Sequence, residues 1–441
     1  MTSLSSIGVK TPEILLPRKS INLEKWAVIA CDQFTSELTY WQQVEEIVGK
    51  SPSTYQMILP EVYLGTPEEK RRVKTTHEVM RNYLNADIFK PVSEFIYVLR
   101  TVGNRTRRGL MVCLDLEQYD YHKGAQTLIR ATEGTILDRL PPRMRIREQA
   151  PLECPHIVVL FDDPNDTVLG PLGERSINFE EAYDFDLMLG SGHLTGFIVD
   201  QEPIKERILQ ALEALIDLDH FAEKYNLKPG RYQPLLFAMG DGNHSLATAK
   251  AVWDKLKPSV GIDHPARYAL VEIENIHDPA LTFEPIHRLL FNQQKDIRQA
   301  MHHYWGDRLT LQDIDSPDSM MAIVDEAAEP WHQFGLVSEK GVTLINVHDP
   351  QENLPVGTLQ HFLDSFLAEG GAEKIDYVHG TEVLLGKGVE PGNVGFYVPA
   401  IDKSDLFKTV ILDGALPRKT FSMGEAKEKR FYLECRRIQA K

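Results

Sequence analysis

Pro234-Leu-Leu-Phe-Ala-Met239 is continuously apolar, as a strand covered on both faces is. Gly240-Asp-Gly-Asn-His-Ser245 follows at once, and Leu246-Ala-Thr-Ala-Lys-Ala-Val-Trp-Asp-Lys255 reads as a helix. Strand, glycine turn and helix N-terminus in that order make an anion-binding geometry. The first N–H groups of a helix have no partners inside it and sit at the positive end of its dipole. Gly240 and Gly242 permit positive φ and close approach of a ligand to the backbone. Asn243, His244 and Ser245 add side-chain donors, and Asp241 can hold a metal, orient His244 or take a proton. A plain glycine turn capped by Asp241 or Asn243 would use the same residues. The stretch is neither a Walker P-loop nor G-x-G-x-x-G.

Outward from this stretch, strand-like and helix-like segments alternate without repeats, which predicts an α/β (α+β mixed) fold. Thr66-Pro67-Glu68-Glu69 reads as a capped helix start, with the helix running to about Asn85. A second long helix is expected over Pro203 to Tyr225, with shorter ones near Tyr40 to Val48, Ile297 to Trp305 and Thr358 to Leu367. Strands are expected at Glu94 to Arg100, Gly109 to Leu116, His156 to Phe161, Tyr268 to Glu274, Val342 to Val347 and Val394 to Val398. Gly103-Asn104 marks a hairpin between the first two. A composition change between Leu290 and Asp296 suggests a phosphate-binding catalytic region at 1–290. A C-terminal α/β region at 291–441 would then pack back on the site.

The chain has 441 residues and a formal charge of −16, which argues against a general nucleic-acid binder. Met1 to Lys10 has no apolar core of a leader, and no run is long enough for a membrane span. Cys31, Cys113, Cys154 and Cys435 form no Cys-x-x-Cys pair. Together these predict a cytoplasmic protein with reduced, packed thiols. No His-Glu-x-x-His, EF-hand or Gly-x-Ser-x-Gly motif is present.

Against that acidic background, Arg130, Arg139, Arg143, Arg145 and Arg147 crowd into 18 residues. In an extended segment Arg143, Arg145 and Arg147 would share one face and could clamp a polyanion. A solvated edge paired with Asp138 and Glu148 is the other reading. Arg105, Arg107 and Arg108 in the hairpin read as surface. Glu133, among Arg130, Thr132 and Thr135, could accept a hydroxyl proton or bind Mg²⁺ with Asp241, or simply pair with an arginine. Asp32 ends the apolar run Ala27 to Ala30, where functional side chains or turn carboxylates emerge. Asp162 and Asp163 stand similarly in Asp-Asp-Pro-Asn, an ordinary turn. His287 and Arg288 suit an anion or a surface pair. His379 reads as structural, and Arg418, Lys419, Thr420 and Ser422 as extra donors or a solvated run.

Gly240-Asp-Gly-Asn-His-Ser-Leu-Ala-Thr-Ala-Lys250 resembles the signature of a bacterial and archaeal domain of unknown function, family ten-fifteen. Its common form reads Asp-Gly-His-His-Arg here, so the chain departs from it at Asn243 and Ser245. Ala30-Cys-Asp-Gln33, Arg130-Ala-Thr-Glu-Gly-Thr135, Glu284-Pro-Ile-His-Arg288, Tyr377-Val-His379 and Pro417-Arg-Lys-Thr-Phe-Ser-Met-Gly-Glu-Ala426 fit the same family. It is distantly similar to the ParB/sulfiredoxin-like superfamily, where such a turn cradles nucleotide phosphates and which includes free-serine kinases.

The resemblance implies a ParB/sulfiredoxin-like phosphate-binding core with additional α/β segments. It also implies phosphoryl transfer from pyrophosphate or a nucleotide to free L-serine, giving O-phosphoserine. On that expectation Asp32, Glu133, Asp241 and His244 are catalytic. Gly242, Asn243, Ser245, Arg143, Arg145, Arg147, His287 and Arg288 bind phosphate, and Mg²⁺ sits on Asp241 and Glu133. The partners are those small molecules, without nucleic acid or membrane, and the assembly considered is a homodimer. A non-catalytic nucleotide or amino-acid regulator and a phosphate-ester hydrolase remain alternatives.

Overall fold

The computed structural model describes residues 6–440 apart from 36, 174–175, 229 and 328–329. Helices and strands are mixed throughout, in several sheets. The chain divides into two compact units. The first is formed by 1–281 with 424–441, and the second by 282–423.

The first unit is organised by a ten-stranded sheet. Its order is Glu180–Asp186, His193–Val199, Phe95–Val102, Arg105–Asp115, Tyr268–Asn275, Val158–Phe161, Phe237–Asp241, Ile129–Arg130 and Tyr119–Asp120, with Val9–Lys10 added to Arg105–Asp115. Alternate residues of its central strands feed two cores. Phe95, Tyr97, Val271 and Ile273 face one side with Leu246, Ala249 and Trp253 of the helix Asn243–Val260. Ile96, Val98, Met111 and Leu270 face the other side, with Trp26, Trp41, Leu433 and Cys435. Burial on both faces is why these strands are nearly unbroken apolar runs. The C-terminal tail is part of the second core and is held by backbone pairing. Phe431 and Tyr432 pair with Ile29 and Val28, and Arg436 and Arg437 pair with Glu153 and Leu152.

The second unit carries a seven-stranded sheet ordered Leu309–Ile314, Gly341–Val347, His332–Ser338, Val394–Tyr397, Phe283–Gln293 and Ala372–His379. Phe421–Met423 pairs with the start of Phe283–Gln293. Helices Ile297–Trp305 and Pro355–Ala368 lie where hydrophobic spacing predicts them.

Several expectations are corrected. The helix expected over Pro203 to Tyr225 is two, Glu202–Ala214 and Leu218–Lys224, because Asp217 caps a new start by accepting His220 N–H at 3.1 Å. Thr66 does not cap the helix Glu69–Asn85, since its hydroxyl donates to Tyr63 O at 2.7 Å. Arg143, Arg145 and Arg147 are not on an extended strand but in the helix Leu140–Arg147, so Arg145 points away from the other two. Nor is Arg107 surface. It lies 2.9 Å from the fully buried Glu274, and Arg108 binds Asp166 and Asp278. Among the described residues no helix is long and apolar enough to cross a membrane.

Candidate functional site

The strand Phe237–Asp241 runs through Gly240 and stops at Asp241, so the turn contains one glycine. Gly242 takes φ +77° and opens the helix Asn243–Val260. Its left-handed conformation is costly for any residue with a Cβ. A Cβ there would also stand 3.1 Å from the Ile157 Cα. The turn is therefore tight because backbone meets backbone. Asp241 Oδ1 accepts the Gly242 N–H at 2.8 Å, while Oδ2 lies 3.1 Å from Lys429 Nζ. Burial opposes the charged carboxylate, yet Lys429, His156 and the Gly242 amide together hold Asp241 below the usual range.

Adjacent segments converge on this turn. Asn243 Nδ2 donates to Glu133 O at 3.1 Å, and Thr132 Oγ1 donates to Met239 O at 2.9 Å. The parallel pairing of Ile129–Arg130 with Phe237 and Ala238 thus delivers Glu133 to the turn. Asn243 Oδ1 is buried without a hydrogen-bond partner among the described residues. Ser245 Oγ lies 3.3 Å from His156 Nε2, and Asp32 Oδ2 lies 3.7 Å from the same nitrogen. On the other side of that ring, Tyr432 Oη lies 2.9 Å from Nδ1. The Cys31 N–H already donates to the Tyr432 oxygen at 3.1 Å. A phenol that donates its own proton to Nδ1 leaves a ring proton for Nε2, which faces Ser245 and Asp32. Burial, with Cys31 and Asp32 nearby, raises the Tyr432 phenol well above its ordinary range, so it remains a donor.

The structure therefore brings Asp32, Glu133, Asp241, Gly242, Asn243 and Ser245 together. His244 follows Asn243 in the helix, and its carbonyl accepts the Thr248 hydroxyl at 2.7 Å. The arginines divide. Arg143 pairs with Glu61, whose N–H binds Cys31 O at 2.8 Å beside Asp32. Arg145 is exposed, whereas Arg147 pairs with the buried Glu153. Arg130 is buried and spends its guanidinium on the Thr127, Gln233 and Pro234 carbonyls. The side chain of Arg139 lies outside the described residues.

His287 and Arg288 belong to the second unit and are buried there. Arg288 donates to Gln360, to Ile286 O and to Arg418 O. His287 Nδ1 accepts the Val398 N–H at 3.3 Å. Burial, Arg288 and His379 lower His287 to about 4.

Sequence reasoning missed His156, Lys429 and Tyr432. His156 stands just before an apolar strand, the same signal that singled out Asp32 just after one. Lys429 and Tyr432 come from the tail, beyond the last motif at Ala426, and carry no local signal. Among the described residues no group of three metal-ligating side chains gathers.

The family model described as Protein of unknown function (DUF1015) matches residues 15–366. No curated protein matches the sequence. Among solved structures, a conserved hypothetical protein from Pyrococcus furiosus is similar at 10% identity and TM-score 0.37, covering 77% of this chain and 98% of that one. A free serine kinase in complex with AMP is similar at 10% identity and TM-score 0.38, covering 77% and 94%. SbnI from Staphylococcus aureus, with a C-terminal truncation, is similar at 9% identity and TM-score 0.35, covering 75% and 87%.

Proposed function

The chain belongs to the DUF1015 family, and on that premise we propose that it transfers a phosphoryl group from pyrophosphate or a nucleotide to a small hydroxyl compound, free L-serine first among them. The observation that carries this reading is the turn at Asp241–Ser245. A left-handed Gly242 opens a helix with Asn243 and Ser245 at its mouth, and His156 Nε2 stands 3.3 Å from Ser245 Oγ. Phosphoryl transfer needs placement and charge stabilisation more than covalent help from the protein. The helix N-terminus and the Ser245 hydroxyl would hold the transferred phosphate, with His156 Nε2–H adding a donor. Lys429, rather than the arginine helix, supplies the cation nearest Asp241.

Asp32, at the strand end beside His156, would accept the hydroxyl proton, and Glu133 is the second carboxylate available for that role. Mg²⁺ binds mainly through substrate phosphates and one or two carboxylates. On Asp241 it would have to displace Lys429 from Oδ2, so that carboxylate does not fit as its ligand and no step is assigned to the ion.

The test is to incubate the protein with L-serine, Mg²⁺ and, separately, pyrophosphate, ADP, ATP and CTP. Phosphorus NMR then follows the products. O-phosphoserine is the expected product. Inorganic phosphate alone would make the protein a hydrolase, and donor binding without product would make it a regulator. Asp32→Asn, which removes the proposed proton acceptor, is expected to lower turnover at least about a hundredfold while leaving the fold intact, with a smaller loss from Glu133→Gln. Loss of a single donor to the phosphate is expected to slow turnover roughly a hundredfold.

A further inference from the structure

Two thiols flank the tail's contact with the site. Cys154 lies two residues before His156, and Cys435 three residues after Tyr432. Their sulfurs are 3.0 Å apart, and both are free thiols. The register explains why they meet. Arg436 pairs with Glu153 and Arg437 with Leu152 in an antiparallel ladder, so Cys435 falls opposite Cys154. The Ile438 N–H bonds Pro151 O at 3.1 Å, which fixes the alternation and makes the cysteines a non-hydrogen-bonded pair. Consistently, Cys435 spends its own N–H and C=O on Leu15, at 3.1 and 2.7 Å. Such positions have Cα atoms about 4.5 Å apart, within the span a disulfide bridges.

We infer that Cys154 and Cys435 form a reversible thiol–disulfide latch that locks the tail segment carrying Lys429 and Tyr432 onto the segment carrying His156. The oxidant is a low-molecular-weight disulfide. Cys154 is half-buried and Cys435 buried, so the Cys154 thiolate attacks first, forming a mixed disulfide and releasing one thiolate. The Cys435 thiolate then attacks the Cys154 sulfur and expels the second. The two protein thiols lose two electrons and two protons, and the oxidant leaves as two thiols. Burial holds the Cys435 thiol well above the ordinary range, which makes the second step slow. The consequence for the phosphate-binding turn rests on the function proposed above, whereas the bond and its hold on the tail do not.

The experiment equilibrates the full chain with excess oxidised glutathione, traps remaining thiols with iodoacetamide and maps peptides without reduction. A single Cys154–Cys435 disulfide is expected, with Cys31 and Cys113 still alkylated after denaturation. Amide exchange of 431–438 is expected to slow about tenfold or more, and dithiothreitol to reverse it. Cys154→Ser should show no such slowing under the same oxidant. Four remaining thiols, glutathione adducts without the internal bond, unchanged tail exchange, or slowing that persists in Cys154→Ser would each overturn the inference. Because none of these readouts involves phosphoryl transfer, a failed kinase assay leaves the latch standing, and the reverse holds as well.

Discussion

Tyr432 Oη lies 2.9 Å from His156 Nδ1 across a sequence separation of 276 residues. Nδ1 thus faces the phenol while Nε2 faces Ser245 and Asp32, and a phenol donating to Nδ1 would keep the ring proton on Nε2. Replacing Tyr432 by Phe removes the donor and lets the ring proton move to Nδ1. The expected outcome is a changed imidazole tautomer in ¹⁵N NMR. Turnover should fall more than tenfold, and stability by about 1 kcal/mol, the usual worth of one buried hydrogen bond. An unchanged nitrogen spectrum would show that the phenol does not set the tautomer.

Gly242→Ala combines two penalties at one atom. A left-handed φ costs a non-glycine residue about 1–2 kcal/mol, and the new Cβ meets the Ile157 backbone, which cannot swing aside as a side chain would. Urea unfolding is expected to register a loss of about 2–3 kcal/mol. Phosphate affinity measured by calorimetry should fall with it, because the helix mouth must shift to relieve the contact. Gly240 lies inside the strand without a positive φ. Its replacement by Ala is expected to leave the turn's geometry in place.

Strand–turn–helix order at Pro234 to Lys255 was legible because each piece has a local cause: an apolar run, a glycine, then helical spacing. Asp32 drew notice as a carboxylate just after the apolar run Ala27 to Ala30, and Glu133 as a carboxylate among Arg130, Thr132 and Thr135. What was illegible depends on long-range pairing. Nothing local to Lys429 says that its strand neighbours pair with Ile29 and Val28, yet that pairing sets it beside Asp241. The arginine run misled because alternation at 143, 145 and 147 suits a strand. The segment instead folds as a helix packed on Asn243–Val260, and the charges acquire separate partners.

Acid should loosen the second unit first. His287 and His332 are both lowered to about 4, His287 by burial with Arg288 and His379, and His332 by burial. An unfolded histidine titrates near ~6.5. Between that value and about 4 the folded state binds fewer protons than the unfolded one. Stability is therefore complete above pH ~6.5 and drains as pH falls toward 4. The loss from His287 approaches about 3 kcal/mol, with less from His332, which keeps some solvent contact. Hydrogen exchange at pH 7.5 and 5.0 should show 282–423 losing protection ahead of the sheet strands of the first unit. His287→Asn, which keeps an acceptor for the Val398 N–H, should flatten part of that dependence.

Glu153 commits two arginines, Arg436 and Arg147, to the fold. It is buried, takes the Leu270 N–H at 2.9 Å and the Arg436 Nε at 2.6 Å, and also pairs with Arg147. Burial works against its charge, but Arg436 and Arg147 outweigh it and keep the carboxylate ionised. Glu153→Gln leaves two guanidiniums facing a neutral amide, and a loss of about 3–5 kcal/mol in urea unfolding is expected. Arg147→Met removes only the more exposed partner while Arg436 still satisfies Glu153, so its cost should stay near about 1–2 kcal/mol. Because that guanidinium is already committed to Glu153, Arg147→Met should leave pyrophosphate affinity within about twofold of the parent. That equals roughly 0.4 kcal/mol, less than a single charge-assisted hydrogen bond contributes. A tenfold weakening by Arg147→Met at unchanged stability would instead mean that Arg147 leaves Glu153 to meet the donor.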